Sequence, residues 1–306
     1  MSMRITNAQI TAMMQGSMNA NSAQLGKLMQ QMATGQRLLQ PSDDPVASVR
    51  LLRIQREEAS LAQYRSNIGT LSGSLATQET NLTAASDTML SLRDLLLWAA
   101  NDTNGDDDLR AIAGEMANIE QTLVSFLNVR DEEGRFLFSG TLSNNPAVTF
   151  DPLTGSYQAS GNDKHRQAAV ANGVLIDENV TVMEIFGTDL DFLNRLHELV
   201  DMLQDPLLDA SDPLLKQQLT DTLNELDLTH VNLLGQVSEL GGRQNTLTLL
   251  DDSNTEVSLV NQKIEGELSQ LDYAGASIDL NQYMLALQAT QQTYLKLNQL
   301  TLFSLL

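Results

Sequence analysis

At 306 residues the chain is long enough for two or three domains, and its 42% apolar but only 4% aromatic content favours helices packed through Leu, Met, Ala, Ile and Val. The absence of cysteine excludes disulfide scaffolds, thiolate metal sites and cysteine nucleophiles, and a net charge of -21 opposes nonspecific binding to nucleic acid or to an anionic membrane surface. Charge is also unevenly placed: residues 1–42 carry +3, residues 273–306 carry 0, and the stretch between them carries -24, so two weakly charged ends flank an acidic middle.

The first element is an amphipathic helix within residues 1–40, with Ile10, Met14, Leu25, Leu28, Met32 and Leu39 on one stripe and Ser17 and Asn21 as polar interruptions. Met13, Met18 and Met29 join Met14 and Met32 as flexible fillers, suited to plain packing or to an interface that accepts neighbours in differing geometries. Asn7, Gln9 and Thr11 interrupt any apolar core at the start, so a cleavable signal peptide is not expected. The longest apolar run, Leu95 to Ala100, is far too short to span a bilayer. Pro41 and Pro45 are expected to break the first helix, with Ser42 or Asp43 capping the next.

The strongest periodicity follows. Leu61, Tyr64, Ile68, Leu71, Leu75, Gln78, Leu82, Ala85, Met89, Leu92 and Leu96 alternate spacings of three and four, a heptad seam that predicts a long coiled-coil-like helix and an elongated rod. Asn101 to Gly105 predicts a turn, and Asp106 to Asp108 a capped helix carrying Leu109, Ile112, Met116, Ile119, Leu123 and Phe126, ending near Glu133-Gly134. From Phe136 to about Thr188, prolines, glycines and the short runs Ala147–Phe150, Gly155–Ser160 and Val180–Ile185 predict a small β-rich insertion. Within it, Asn172-Gly173 between Ala168–Ala171 and Val174–Ile176 predicts a hairpin.

Helical spacing resumes at Phe192, pauses between Asp205 and Pro213, and continues from Leu215 through Leu240, where Gly241-Gly242 is expected to weaken or bend the helix. The last helix carries two apolar stripes. One holds Ile278, Leu285, Ala289, Leu295 and Leu302; the other holds Leu280, Tyr283, Leu287, Tyr294 and Leu297. The remaining faces of both end helices are Gln, Asn, Ser and Thr, uncharged enough to be buried if their amides find partners. Such helices are marginal in water alone, so both ends are expected to gain full order when copies pack together.

No motif here carries chemistry. His165, His197 and His230 are scattered and form no shared-ligand spacing. Asp102 to Asp108 resembles a calcium loop only superficially, since Asp107 and Ala113 stand where a glycine and a glutamate belong. Gly235 to Arg243 lacks the Gly-Lys-Ser/Thr of a phosphate loop. Glu57-Glu58, Asp177-Glu178 and Asp251-Asp252 are adjacent carboxylates that diverge by about 100° on a helix. No catalytic residue, metal site or cofactor is expected.

The segment Gly35-Gln36-Arg37-Leu38-Leu39-Gln40-Pro41-Ser42-Asp43-Asp44-Pro45 resembles the N-terminal signature of the flagellin superfamily, in the version carried by its hook-associated members. Gly134 to Gly140, including Phe138, Ser139 and Gly140, is similar to the family's exit from its second rod helix. Gly241 to Asn245, Leu271 to Ala274, Leu285 to Ala289 and the end Leu300–Leu306 also look family-like. The resemblance implies a mainly α fold with a small β-rich insertion and paired N- and C-terminal helices. It divides the chain into an inner assembly domain (1–40 plus 273–306), a helical rod (41–135 plus 189–272) and an outward insertion (136–188).

It further implies a structural subunit exported by the flagellar type III apparatus with a cytoplasmic chaperone. Copies would assemble in a ring between the first hook-associated protein and flagellin. Two other readings fit the same helices. A filament-forming flagellin is disfavoured by Pro41 to Pro45 and by the small insertion; a helical secretion-tip or binding protein would pair its ends only within one chain.

Overall fold

The computed structural model describes residues 7–303 except residue 102, and side-chain surroundings from residue 9 to residue 296. Among these residues seven helices and four short strands follow in the order α1 (Asn7–Thr34), α2 (Pro45–Ala99), α3 (Asp106–Leu127), β1 (Val148–Asp151), β2 (Ser156–Ala159), β3 (Gln167–Ala171), β4 (Val174–Asp177), α4 (Val182–Phe186), α5 (Asp191–Gln204), α6 (Pro213–Ser269) and α7 (Tyr273–Phe303). The expected mainly helical fold with a small β insertion is what forms. The chain makes two compact units, Met1–Ser60 with Glu256–Leu306, and Leu61–Thr255.

In the unit Leu61–Thr255 the heptad seam of α2 is the spine of the core. Every seam residue from Leu61 to Leu96 is buried except the half-buried Tyr64. Facing them are Leu109, Ile112, Met116, Leu123 and Leu127 of α3, Phe192, Leu196 and Leu203 of α5, and Leu219, Leu226, Leu233 and Leu240 of α6. The polar seam residue Gln78 is fully buried and fully used. Its Nε2 donates to the Glu178 carbonyl at 2.8 Å and its Oε1 accepts from the Val180 amide at 3.0 Å, tying the insertion to the long helix. Beneath β2, the buried Glu120 accepts hydrogen bonds from the Tyr157 hydroxyl (2.6 Å) and His197 Nδ1 (2.9 Å). Burial first, then the Glu120 carboxylate, pushes the Tyr157 hydroxyl well above its ordinary pKa.

The strands form two separate antiparallel hairpins, β1–β2 and β3–β4. Asn172-Gly173 makes the second turn as expected, with Gly173 at φ 73°. The run Val180–Ile185 is not a strand. Thr181 and Glu184 make a capping arrangement there, with the Thr181 amide on Glu184 Oε2 at 2.7 Å, and this starts the one-turn helix α4.

Several helix ends differ from expectation. α1 stops at Thr34, well before Pro41, because Gly35 takes φ 71° and donates its amide to the Gln31 carbonyl. α3 stops at Leu127 rather than near Glu133, because the Asn128 side chain turns to pair with both backbone groups of Val148. At its other end Asp108 accepts from the Gly105 amide, as the acidic cap anticipates. α6 runs unbroken through Gly241-Gly242.

Candidate assembly surface

The signature segment 35–45 is a buckle within the first unit. The Arg37 amide donates to the Ser269 carbonyl (2.7 Å), the Leu271 amide to the Gly35 carbonyl (3.0 Å), and the Arg37 guanidinium to the Leu268 carbonyl (3.1 Å). The Tyr273 hydroxyl closes the link on the Met32 carbonyl at 3.1 Å. The end of α1 is thereby fastened to the junction of α6 and α7, which sets the directions in which both terminal helices leave.

The capping of α2 corrects the sequence reading. Asp44, not Ser42 or Asp43, is the N-cap: its Oδ1 accepts the Ala47 amide at 3.0 Å, its carbonyl accepts the Ser48 amide at 2.9 Å, and Pro45 takes the first helical position. Ser42 is exposed. Asp43 instead receives the Leu39 and Gln40 amides on Oδ2 and the Lys27 ammonium on Oδ1 at 2.7 Å, so it ties α1 to the loop.

The Lys27 hydrogen bond, followed by the Gln40 amide, holds the Asp43 carboxyl below its ordinary 3.8; the Ala47 amide, then Arg37, does the same for Asp44. A carboxylate with a depressed folded pKa adds stability above its unfolded value and loses it as pH falls through the folded one. The melting midpoint of the protein should therefore exceed that of the Asp43→Asn/Asp44→Asn variant by a margin that is present above the ordinary carboxylate range and shrinks as pH falls below it. A margin independent of pH would show that these carboxylates hold nothing together.

The second signature triplet sits in the other unit, as a structural corner. Phe138 is fully buried, its carbonyl accepts the Val182 amide at 3.0 Å, and Ser139 Oγ donates to the Asn145 carbonyl at 2.7 Å. Gly140 takes φ 69°, and its carbonyl accepts from Arg166. The two signatures are not brought together into one site; each fixes a chain direction in its own unit.

Many large apolar side chains of the first unit are exposed. Among its described residues, the buried apolar ones are Leu28, Ala47, Ile54 and Ala276. Exposed large apolar residues lie on every helix: Met13 and Met29 on α1, Val46, Val49 and Leu52 on α2, Val257, Leu259 and Val260 on α6, and Tyr273, Ile278, Met284, Leu285 and Leu295 on α7. α1 and α7 pack together. Of the expected assembly residues on α1, Leu28 is buried in this unit while Ile10, Met14, Leu25 and Met32 are half-buried.

On α7 the two stripes part company. Leu280, Tyr283, Leu287 and Tyr294 are half-buried, whereas Ile278, Leu285 and Leu295 are 59%, 65% and 60% exposed. The side chains of Leu297 and Leu302, expected on these stripes, lie outside the described residues, as do residues 304–306 of the family-like end.

The histidines occupy three separate places: His165 beside the Asn179 carbonyl and Glu184, His197 on Glu120, and His230 on Ser86 Oγ at 2.8 Å. Among the described residues no His, Asp and Glu side chains converge as a metal site, and no helix is long and apolar enough to cross a membrane.

Comparison with known proteins agrees with this architecture. The sequence model of the bacterial flagellin N-terminal helical region matches residues 5–143. Flagellar hook-associated protein 3 of Salmonella typhimurium is 24% identical, with 99% of each chain covered. The solved structure of a flagellar hook-associated protein from Vibrio parahaemolyticus is 37% identical, has a TM-score of 0.67, and covers 74% of this chain and 100% of its own. In fold, the chain also matches the flagellar junction protein of Legionella pneumophila, at TM-score 0.60 and 15% identity, covering 72% of this chain and 100% of that one. With 37% identity to the Vibrio protein over that chain's whole length, and with its own residues 5–143 matching the flagellin N-terminal region, this chain belongs to the flagellar hook-associated proteins, structural subunits of the bacterial flagellum.

Proposed function

We propose that copies of this chain assemble as a ring at the hook–filament junction, receiving the first hook-associated protein on one side and flagellin on the other. Export through the flagellar type III apparatus, with a cytoplasmic chaperone, belongs to the same reading. So does the division into an inner assembly domain, a rod and an outward insertion.

The observation that carries the proposal is the outward stripe Ile278, Leu285 and Leu295 on a helix whose other stripe is turned inward. Exposed aliphatic residues along one side of a helix whose charged residues are only Asp279 and Lys296 favour burial against another helix. The near absence of charge removes the repulsion that keeps copies apart. Imaging the fluorescently labelled protein on intact flagella tests the placement. One band at the hook boundary is expected; label along the whole filament would point to a filament subunit.

A further inference from the structure

Building on the ring reading, we infer that the lateral contact between copies is head-to-tail, with the outer flank of α2 in one copy meeting the outer flank of α6 in the next. The inference starts from helix geometry, at about 100° per residue. In α2 the buried Ile54 faces the interior of the first unit, and Gln55 and Glu58 point towards α6, bonding Glu265 at 3.3 Å and Ser258 at 2.7 Å. Val46, Val49, Arg50 and Arg53 fall on the opposite side of α2 from Gln55 and are exposed.

In α6 the buried Asn261 faces inward, and Ser258 and Glu265 meet α2. Glu256, Leu259, Val260 and Glu267 fall on the side away from α2 and are exposed. The two flanks therefore look in opposite directions across the α2–α6 pair. A self-complementary dimer would use one patch twice; two different patches on opposite sides produce a head-to-tail series of contacts, which is the kind a ring of more than two copies requires.

The chemistry of the flanks is complementary. On α2, Pro45, Val46 and Val49 line a shallow groove with Arg50 and Arg53 along it. These arginines and Arg56 form no ion pair with any described residue, in a chain whose net charge is -21. On α6, Leu259 and Val260 stand between Glu256 and Glu267, which also form no ion pair with a described residue. Glu57 and Lys263 dilute the two fields without changing their signs. A second copy thus supplies both the aliphatic side chains that fit the α2 groove and the carboxylates that meet its guanidinium groups, whose planar fork suits such pairing.

The test is a charge swap in motile cells carrying no wild-type copy, reading the exported protein retained on flagella against that shed into the medium. Arg50→Glu/Arg53→Glu and Glu256→Arg/Glu267→Arg should each lower retention about ten-fold, equivalent to roughly 1.4 kcal/mol per contact. The variant with all four changes restores opposite charges at every contact and should be retained like the wild type. Circular dichroism of each variant should match the wild type, since all four side chains are exposed. Undiminished retention of either pair variant, or a four-fold variant no better than the pairs, would overturn the head-to-tail contact. Wild-type protein found wholly in the medium would instead bring down the ring reading, and this inference with it.

Discussion

Replacing Ile278 and Leu285 by aspartate should abolish incorporation into flagella while leaving the free protein folded. In the free chain both side chains are mostly exposed, so the substitutions leave most of each new carboxylate in water. In the assembly each aliphatic group contributes about 1.5–3 kcal/mol on burial, and a carboxylate placed there without a partner adds a further penalty. The combined effect corresponds to an affinity loss of about a thousand-fold or more. Motility, together with the ratio of flagellum-bound to shed protein, reads the outcome. Normal swimming by the double variant would mean that this stripe faces water in the flagellum too.

The second large effect is expected at Gly140. A Cβ there would run into the Asn162 side chain and backbone, and the residue already holds φ 69°, which L side chains seldom adopt. Gly140→Ala should therefore cost about 3 kcal/mol or more, with steric overlap added to the dihedral term. Gly173 provides the internal comparison, because it takes φ 73° with open space around the added atom. Gly173→Ala should cost only the dihedral share, about 1 kcal/mol. Urea unfolding of the two variants separates the terms, and equal midpoints would remove the role assigned to the Gly140–Asn162 contact.

The long helix α2 was legible because its signal is redundant. Eleven seam positions in α2 repeat the same spacing, and Gln78 could be placed on the seam before its partners were known. The insertion was legible where turn chemistry is strict, at Asn172-Gly173, and misread at Val180–Ile185, where a β-branched run hides a Thr181–Glu184 cap. Helix ends were the weakest point. The prolines at 41 and 45 drew attention away from Gly35, although a glycine after a helical run is itself a stop signal. Asp44 before Pro45 could have been read as an N-cap followed by its first helical residue.

Spacing placed Ile278, Leu285 and Leu295 along one side of α7, but sequence could not say which of two equally apolar stripes faces α1. That depends on the direction imposed by the buckle at residues 35–45 and 268–273, a long-range arrangement with no local signature. The same buckle explains why a charge-poor end needs so conspicuous a motif. A helix pair with few buried side chains holds little direction by packing, so hydrogen bonds at its base must supply it.

The central claim is that the terminal helix pair takes its stability from neighbouring copies. Amide hydrogen exchange of the free chain and of flagellum-bound protein measures this directly, because protection reports the local opening free energy. In the free chain the amides of α7 should exchange quickly while those of residues 61–96 are protected; on the flagellum both should be protected. Equal protection of α7 in the two states would contradict the account.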